Sequence, residues 1–471
     1  MRQFPLKEER EEDFMYGAVI ERGPQNWQVL QQKDGYADAV LSGIIEVEEE
    51  IAEREDLRIV VYVTDENTNA RITGPYSVRC RERRWKAEIR IPAGGPYRIE
   101  TCLQFHGTNE RRGARIFHIE VGDVYLISGQ SNAAGVGRDC INDPVSPDVR
   151  LFRLSGVWDM ASHPIHDTTD NRFPLSQEKI HVDHSPWLNF GKVLNRALGY
   201  PIGLIPGARG GLSLADWNRE EGGKYFENAL EIVRASGSEI KGILWYQGCN
   251  DTSGDAVGEQ YFERFKQVCV DFRKVFGDRI PILTVQLNKY TANQGKDESR
   301  SGYGFSKIRE AQRRAMHEIP KLYMVPSIDL MVCDGIHNKA ASNMVIGERA
   351  ANTALKYIYG RQIICDAPDI IRAVREDKTS IRLYFDHVYG AIDAHGISAD
   401  QLMVSLTDEK GRITPKNYSC PGDNSMILEF EREIAYNASV SCDRYNDHGI
   451  VPCDSYSYLP VVPFSDIKIQ D

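Results

Sequence analysis

The chain has 471 residues, 41% hydrophobic and 27% charged, a globular composition too long for one ordinary domain. Its 57 Lys and Arg stand against 68 Asp and Glu, a formal net charge of −11. With no long basic block this disfavours nucleic acid as a partner, and no run is long and apolar enough to span a bilayer, so no membrane is expected.

The chain opens on a charged stretch, Met1 to Asp13, without the apolar core of a signal peptide. That gives the expectation of a cytoplasmic protein. Residues 1 to about 118 read as a β domain. Leu57–Val63 and Trp85–Ile91 are rich in strand formers, and turn signals such as Lys33-Asp-Gly35 and Ala93-Gly-Gly-Pro96 separate such runs. A β-sandwich or jelly roll is expected.

From residue 119 apolar runs alternate with helix-period segments. The runs are Val124–Ile127, Ile202–Ile205, Ile243–Tyr246, Ile280–Leu287 and Leu322–Ile328; between them lie Trp187–Leu198, Tyr225–Ala235, Tyr261–Phe276, Tyr303–His317 and Lys339–Tyr359. Such alternation predicts a three-layer α/β/α domain over 119–360 with a parallel sheet. Sites in such sheets lie at the carboxyl ends of the strands. The stretch 141–185 shows no periodicity and reads as a long functional loop. Residues 361–471 return to β character, with Ile381–Phe385 and Met426–Phe430.

Four stretches fall at or just past predicted strand ends: Gly129-Gln-Ser-Asn132, Ala208-Arg-Gly-Gly-Leu212, Trp245-Tyr-Gln-Gly-Cys-Asn-Asp251 and Asp334-Gly-Ile-His337. Each has a plain structural alternative. Ser131 alone reads as a helix N-cap, Gly210-Gly211 as a tight turn, and Asp334-x-x-His337 as an Asx turn. Gln247 and Asn250 alone read as groups that satisfy buried backbone. Converging on one sheet edge, they supply a nucleophile, oxyanion donors and an acid–base pair, the assembly of an acyl-transfer enzyme.

These motifs resemble the SGNH hydrolases and, within them, the sialate O-acetylesterase-like carbohydrate esterases. Weaker echoes lie outside the motifs, at Val29–Gln32, Ala93–Tyr97, Gly122–Tyr125, Ile308–Gln312 and Leu459-Pro with Pro463-Phe464. The resemblance implies an SGNH-type domain flanked by N- and C-terminal β-sandwich, jelly-roll-like regions. It implies a serine esterase that removes O-acetyl groups from carbohydrate, sialic acid or acetylated oligosaccharides, without a cofactor. Ser131 would be the nucleophile, His337 the general base and Asp334 its orienting partner. Oxyanion donors would be the N–H of Ser131, that of Gly210 or Gly211, and a side-chain amide. The family usually shows Trp-Tyr-Gln-Gly-Glu-Ser-Asp; here Cys249 stands at the Glu position, and Asn250 creates the Gly-x-Asn-Asp of the wider class. Both Gln247 and Asn250 are therefore candidates, with Gln247 favoured by the nearer relatives.

Gln130, Asn132, Arg209, Trp158 and His184 are expected to line the substrate, the last two from the 141–185 loop. His163, His166, His181 and His184 are ligand-type residues, but no recognised spacing supports a metal site. The cysteines, at 80, 102, 140, 249, 269, 333, 365, 420, 442 and 453, form no C-x-x-C pair, so free thiols are expected. Cys249 has no adjacent His to activate it. Two rival readings stand beside the esterase. One is a catalytically idle carbohydrate-binding protein, against which the complete Ser131, His337 and Asp334 set speaks. The other is a lipid esterase of the wider class, made less attractive by the polar insert and the extra β regions. The expected partner is an acetylated carbohydrate; a homo-oligomer stays open.

Overall fold

The computed structural model describes residues 17–253, 257–291, 302–442 and 449–471. The charged stretch Met1–Asp13 lies outside them. Each predicted run of the α/β region is a strand: the end of Thr108–Gly129, then Ile202–Pro206, Gly242–Tyr246, Ile282–Val285 and Leu322–Val325. The helices between them are Trp187–Leu198, Lys224–Ser236, Val257–Phe276, Gly302–Glu318 and Ala340–Tyr357. The sheet is parallel through these five strands, with Thr108–Gly129 between Ile202–Pro206 and Gly242–Tyr246. Strands covered on both faces are apolar throughout, which is why they read as unbroken runs.

Register shows the two covering layers. Tyr125 lies opposite Gly242, whereas Trp245 lies opposite Ser128, so Tyr125 and Trp245 point to opposite faces. Tyr125 meets Phe190 of helix Trp187–Leu198 edge-on, and Trp245 stacks on Phe265 of helix Val257–Phe276. The result is the expected three-layer arrangement.

The stretch 141–185 is not the irregular loop that its pattern suggests. Val149–Phe152 joins the sheet edge in parallel beside Ile202–Pro206, and Trp158–Met160 turns back antiparallel to it. The expected boundary between residues 118 and 119 falls inside one strand, Thr108–Gly129, which is 22 residues long. Its first part pairs with Gly94–Phe105 in the N-terminal sheet, and its last part is the centre of the α/β sheet. Val29–Gln31 also crosses over, pairing in parallel with Glu120–Gly122.

The N-terminal region closes the sheet Gly17–Arg22, Tyr36–Glu46, Arg84–Pro92 over the strands Arg58–Asp65, Arg71–Arg79 and Gly94–Phe105, with Leu41, Val61, Trp85 and Ile99 between them. Residues from about 369 build an eight-stranded sheet around Leu383, Phe385, Leu406 and Met426. Ile328 belongs to that core, ahead of the expected boundary at 360/361.

Candidate active site

The central strand ends at Gly129 with φ 126°, a conformation that side chains rarely adopt. A Cβ there would stand 2.2 Å from the carbonyl oxygen of Tyr246 on the next strand. The close approach lets Gln130 N–H donate to that oxygen at 2.9 Å and turns the chain into the short helix Ser131–Ala134. Ser131 is thus the first residue of a helix, where backbone N–H groups have no intrahelical acceptor.

The segment 334–337 closes over it. His337 lies with Nε2 2.9 Å from Ser131 Oγ and Nδ1 2.7 Å from Asp334 Oδ2. With its proton on Nδ1, the imidazole donates to Asp334 and accepts from the Ser131 hydroxyl. The other Asp334 oxygen accepts the N–H of His337 at 3.0 Å, so the Asx turn expected of Asp-x-x-His is present as well. Burial pushes the Asp334 carboxyl up, but the hydrogen bonds from His337 outweigh this and leave it below the usual range. It is ionised at neutral pH, as an orienter of imidazole must be.

Asn132 and Gln130, expected to face substrate, are buried, and each makes a bond that ties parts of the site together. Asn132 donates to Ile336 O at 3.0 Å and accepts from Asn338 N–H at 3.1 Å, which clamps the His337 loop to the Ser131 helix. Gln130 Oε1 accepts the N–H of Gly248 at 2.9 Å and ties two strand ends together. Trp158 is a correction too: its ring is buried in the core beside Phe152 and its indole N–H donates to Ser236 O at 2.8 Å. Arg209 stays half-buried next to the site, its N–H on Gly129 O and its guanidinium on Gly210 O.

The oxyanion candidates separate. Gly210 N–H donates to Glu178 Oε1 at 2.6 Å. Glu178 comes from the insert, and burial raises its carboxyl. Gly211, with φ 75°, is exposed, and among the described residues nothing accepts from its N–H. The same holds for Ser131 N–H. Gln247 is fully buried, and its amide group donates to Leu212 O at 3.2 Å and to Asp251. Asn250 is exposed and bonds Gly211 O at 3.0 Å. Geometry counts against Gln247, because a sealed amide whose donors are used offers nothing to an incoming oxygen; Asn250 keeps one amide N–H without a partner among the described residues.

Asp251 had no role in the sequence reading. It accepts Leu214 N–H at 3.0 Å as well as the Gln247 amide, so it ties the third stretch to the chain two residues past the second. Burial raises its carboxyl to about 6 despite those donors. Glu178 likewise went unseen, since one acid in Gln177-Glu-Lys179 carries no spacing signal. Cys249 lies 3.9 Å from Asn132 Nδ2, and burial pushes its thiol up to about 12, which keeps it protonated and inert.

The insert histidines form a cluster apart from Ser131. His163 and His184 stack with ring centres 4.0 Å apart, and their Nε2 atoms lie 2.8 and 3.2 Å from one oxygen of Asp143. These three are the ligand-type group among the described residues that stands close enough to hold an ion. The other Asp143 oxygen is already met by the Lys192 ammonium. His184 therefore does not line a substrate site; its carbonyl accepts from Gly137 and Asn343 and fastens the insert. His166 is buried near Glu178, and burial lowers it to about 4.

The family model for carbohydrate esterases described as sialic acid-specific acetylesterases matches residues 121–356, half of the chain. The chain belongs to this family. The matched span holds all four stretches of the site. This esterase is 28% identical over 216 residues to a protein of Arabidopsis thaliana named a probable carbohydrate esterase, covering 41% of the chain and 75% of that relative. It is 24% identical over 318 residues to the sialate O-acetylesterase of Mus musculus, covering 51% of the chain; the match spans 56% of that relative, a little over half its length. Among solved structures, a carbohydrate acetylesterase from Xanthomonas citri superposes with a TM-score of 0.63 at 20% identity, covering 95% of this chain and 99% of that one. The esterase thus shares its fold across the flanking β regions too.

Proposed function

We propose that this family member hydrolyses acetyl esters on a carbohydrate, sialic acid or an acetylated oligosaccharide, through Ser131, His337 and Asp334. The observation that carries the reading is the relay from Ser131 Oγ through His337 to Asp334, at 2.9 and 2.7 Å. His337 Nε2 takes the Ser131 proton as Oγ attacks the acetyl carbonyl. The oxyanion meets Ser131 N–H, Gly211 N–H and the Asn250 amide, donors fixed before the charge forms. His337 then protonates the departing sugar hydroxyl. Water, deprotonated by the same imidazole, releases acetate and restores Ser131.

The test is acetate release from a panel of acetylated sialic acids and oligosaccharides, with wild type and Ser131→Ala in parallel. Release from at least one glycan, absent in the variant, is expected. Equal release by both proteins, or none from any glycan or simple acetyl ester, overturns the reading.

A further inference from the structure

The outer face of the N-terminal sheet carries a polar concavity. On the strands Arg58–Asp65 and Gly94–Phe105, Val61, Val63, Ile99 and Leu103 fill the core. Strand alternation turns Tyr62, Thr64, Arg98 and Glu100 to the other side. Register then sets arginines around them. Thr64 stands between Arg71 and Arg98, Glu100 between Tyr62 and Arg115, and Arg112 beside Cys102. Together with Arg111 and Glu110 they line a cavity of about 540 Å³, within the usual range for a small-ligand site.

Its charge runs against that of the chain. Five arginines and two glutamates line it, in a protein of net charge −11. Arg98 pairs with Glu100 at 3.1 Å and Arg111 with Glu48 at 2.9 Å. Arg71 and Arg112 are exposed, and among the described residues neither has a carboxylate within ion-pair distance. The Arg71 guanidinium lies 4.4 Å over the Tyr62 ring, which braces its planar fork. Arg71 and Arg112 are three strands apart, about 14 Å, and offset by a further ~13 Å along the strand direction. No single small anion reaches both.

We propose that this face binds an acidic saccharide chain. Its carboxylates pair with Arg71 and Arg112, and a sugar ring lies against the Tyr62 face that Arg71 leaves open. Guanidinium forks match carboxylates in pairs of parallel hydrogen bonds, and an oligomer supplies several at once. The choice of a saccharide among polyanions rests on the esterase reading above.

Affinity electrophoresis of the full chain tests this, with polygalacturonate in the gel, dextran as the neutral polymer and polyphosphate as the polyanion without sugar. Retardation by polygalacturonate alone is expected, weakened at least fivefold in the Arg71→Ala, Arg112→Ala double variant and largely kept when both are changed to Lys. Both side chains are exposed, so the variants should fold, and nitrophenyl acetate hydrolysis should be unchanged in them. No retardation by polygalacturonate, equal retardation of the alanine variant, or equal retention by polyphosphate overturns the proposal. Ser131→Ala should bind polygalacturonate like wild type. Retention without any esterase activity in wild type would leave this site standing and remove only the esterase reading.

Discussion

Two places in the molecule bring histidine to aspartate, and they differ in what the imidazole has left over. At the strand ends, His337 spends Nδ1 on Asp334 and turns Nε2 to a hydroxyl. In the insert, His163 and His184 turn Nε2 to Asp143, whose other oxygen holds Lys192, and His163 Nδ1 accepts the N–H of Ser185 at 3.3 Å. Asp334 keeps 33% of its side chain exposed, whereas Asp143 keeps 2%. An aspartate beside a histidine is therefore not a signature of catalysis. The difference is a second ring nitrogen aimed at a hydroxyl; in the insert the same residue types close on one another and on Lys192.

The sharpest way to break this contrast is at Ser131. Ser131→Ala should lower turnover of nitrophenyl acetate by about 10⁴-fold or more with the fold unchanged by circular dichroism. Residual activity of several per cent would show that the hydroxyl facing His337 is not the nucleophile. The next effect separates the two amides. Asn250→Ala should cost ~10²–10³ in kcat with little change in KM. Gln247→Ala should instead lower the melting temperature, because it strips a donor from half-buried Asp251, while kcat changes far less. The opposite pattern would restore Gln247 as the oxyanion donor.

These contrasts also mark where sequence reading stops. The alternating strands and helices were legible because each buried strand is an unbroken apolar run and each helix carries an apolar stripe. That Ser131, Asp334 and His337 stand at turns past strand ends was legible, and the structure brings the three side chains together. Val149–Phe152 and Trp158–Met160 were not, since four and three residues in a Pro- and Asp-rich stretch give too little pattern. Nor was the burial of Trp158, whose indole N–H needed only one backbone carbonyl, supplied by Ser236 from 78 residues away. Gln247 and Asn250 are chemically alike, and Gly248 with φ 143° between them sends one inward and the other out. Only the fold decides which.

At the insert cluster the expected effect is on stability alone. Asp143→Asn should destabilise by about 1–3 kcal/mol in chemical denaturation, because it leaves the part-buried Lys192 without its counter-charge. Activity per folded molecule, and its resistance to EDTA, should be as in wild type. Loss of activity on chelation, restored by a divalent ion, would turn this cluster into a metal centre instead.

The smallest expected effect is a pH dependence at Asp251. Its carboxyl is raised by burial from the ordinary 3.8 to about 6, so the folded chain binds this proton more tightly than the unfolded chain. Its ionisation therefore costs stability as pH rises from about 4 to 6. Asp251→Asn lacks that slope. The stability advantage of wild type over the variant should shrink across that window, measured by melting temperature at pH 4.5 and 7. A difference that grows with pH would mean that the donors from Leu214 and Gln247 outweigh burial.

The strand Thr108–Gly129 has a mechanical consequence. It carries Arg112 and Arg115 near one end and delivers Ser131 just past the other, with one bulge between them at His118, φ 57°. From Arg115 to Ser131 the extended backbone reaches at most about 50 Å. Binding modules joined to enzymes by flexible linkers raise the local concentration of substrate over a wide range of spans. A continuous strand does the opposite. It would work as a ruler: a polymer held at one end would meet Ser131 at one fixed spacing along its length.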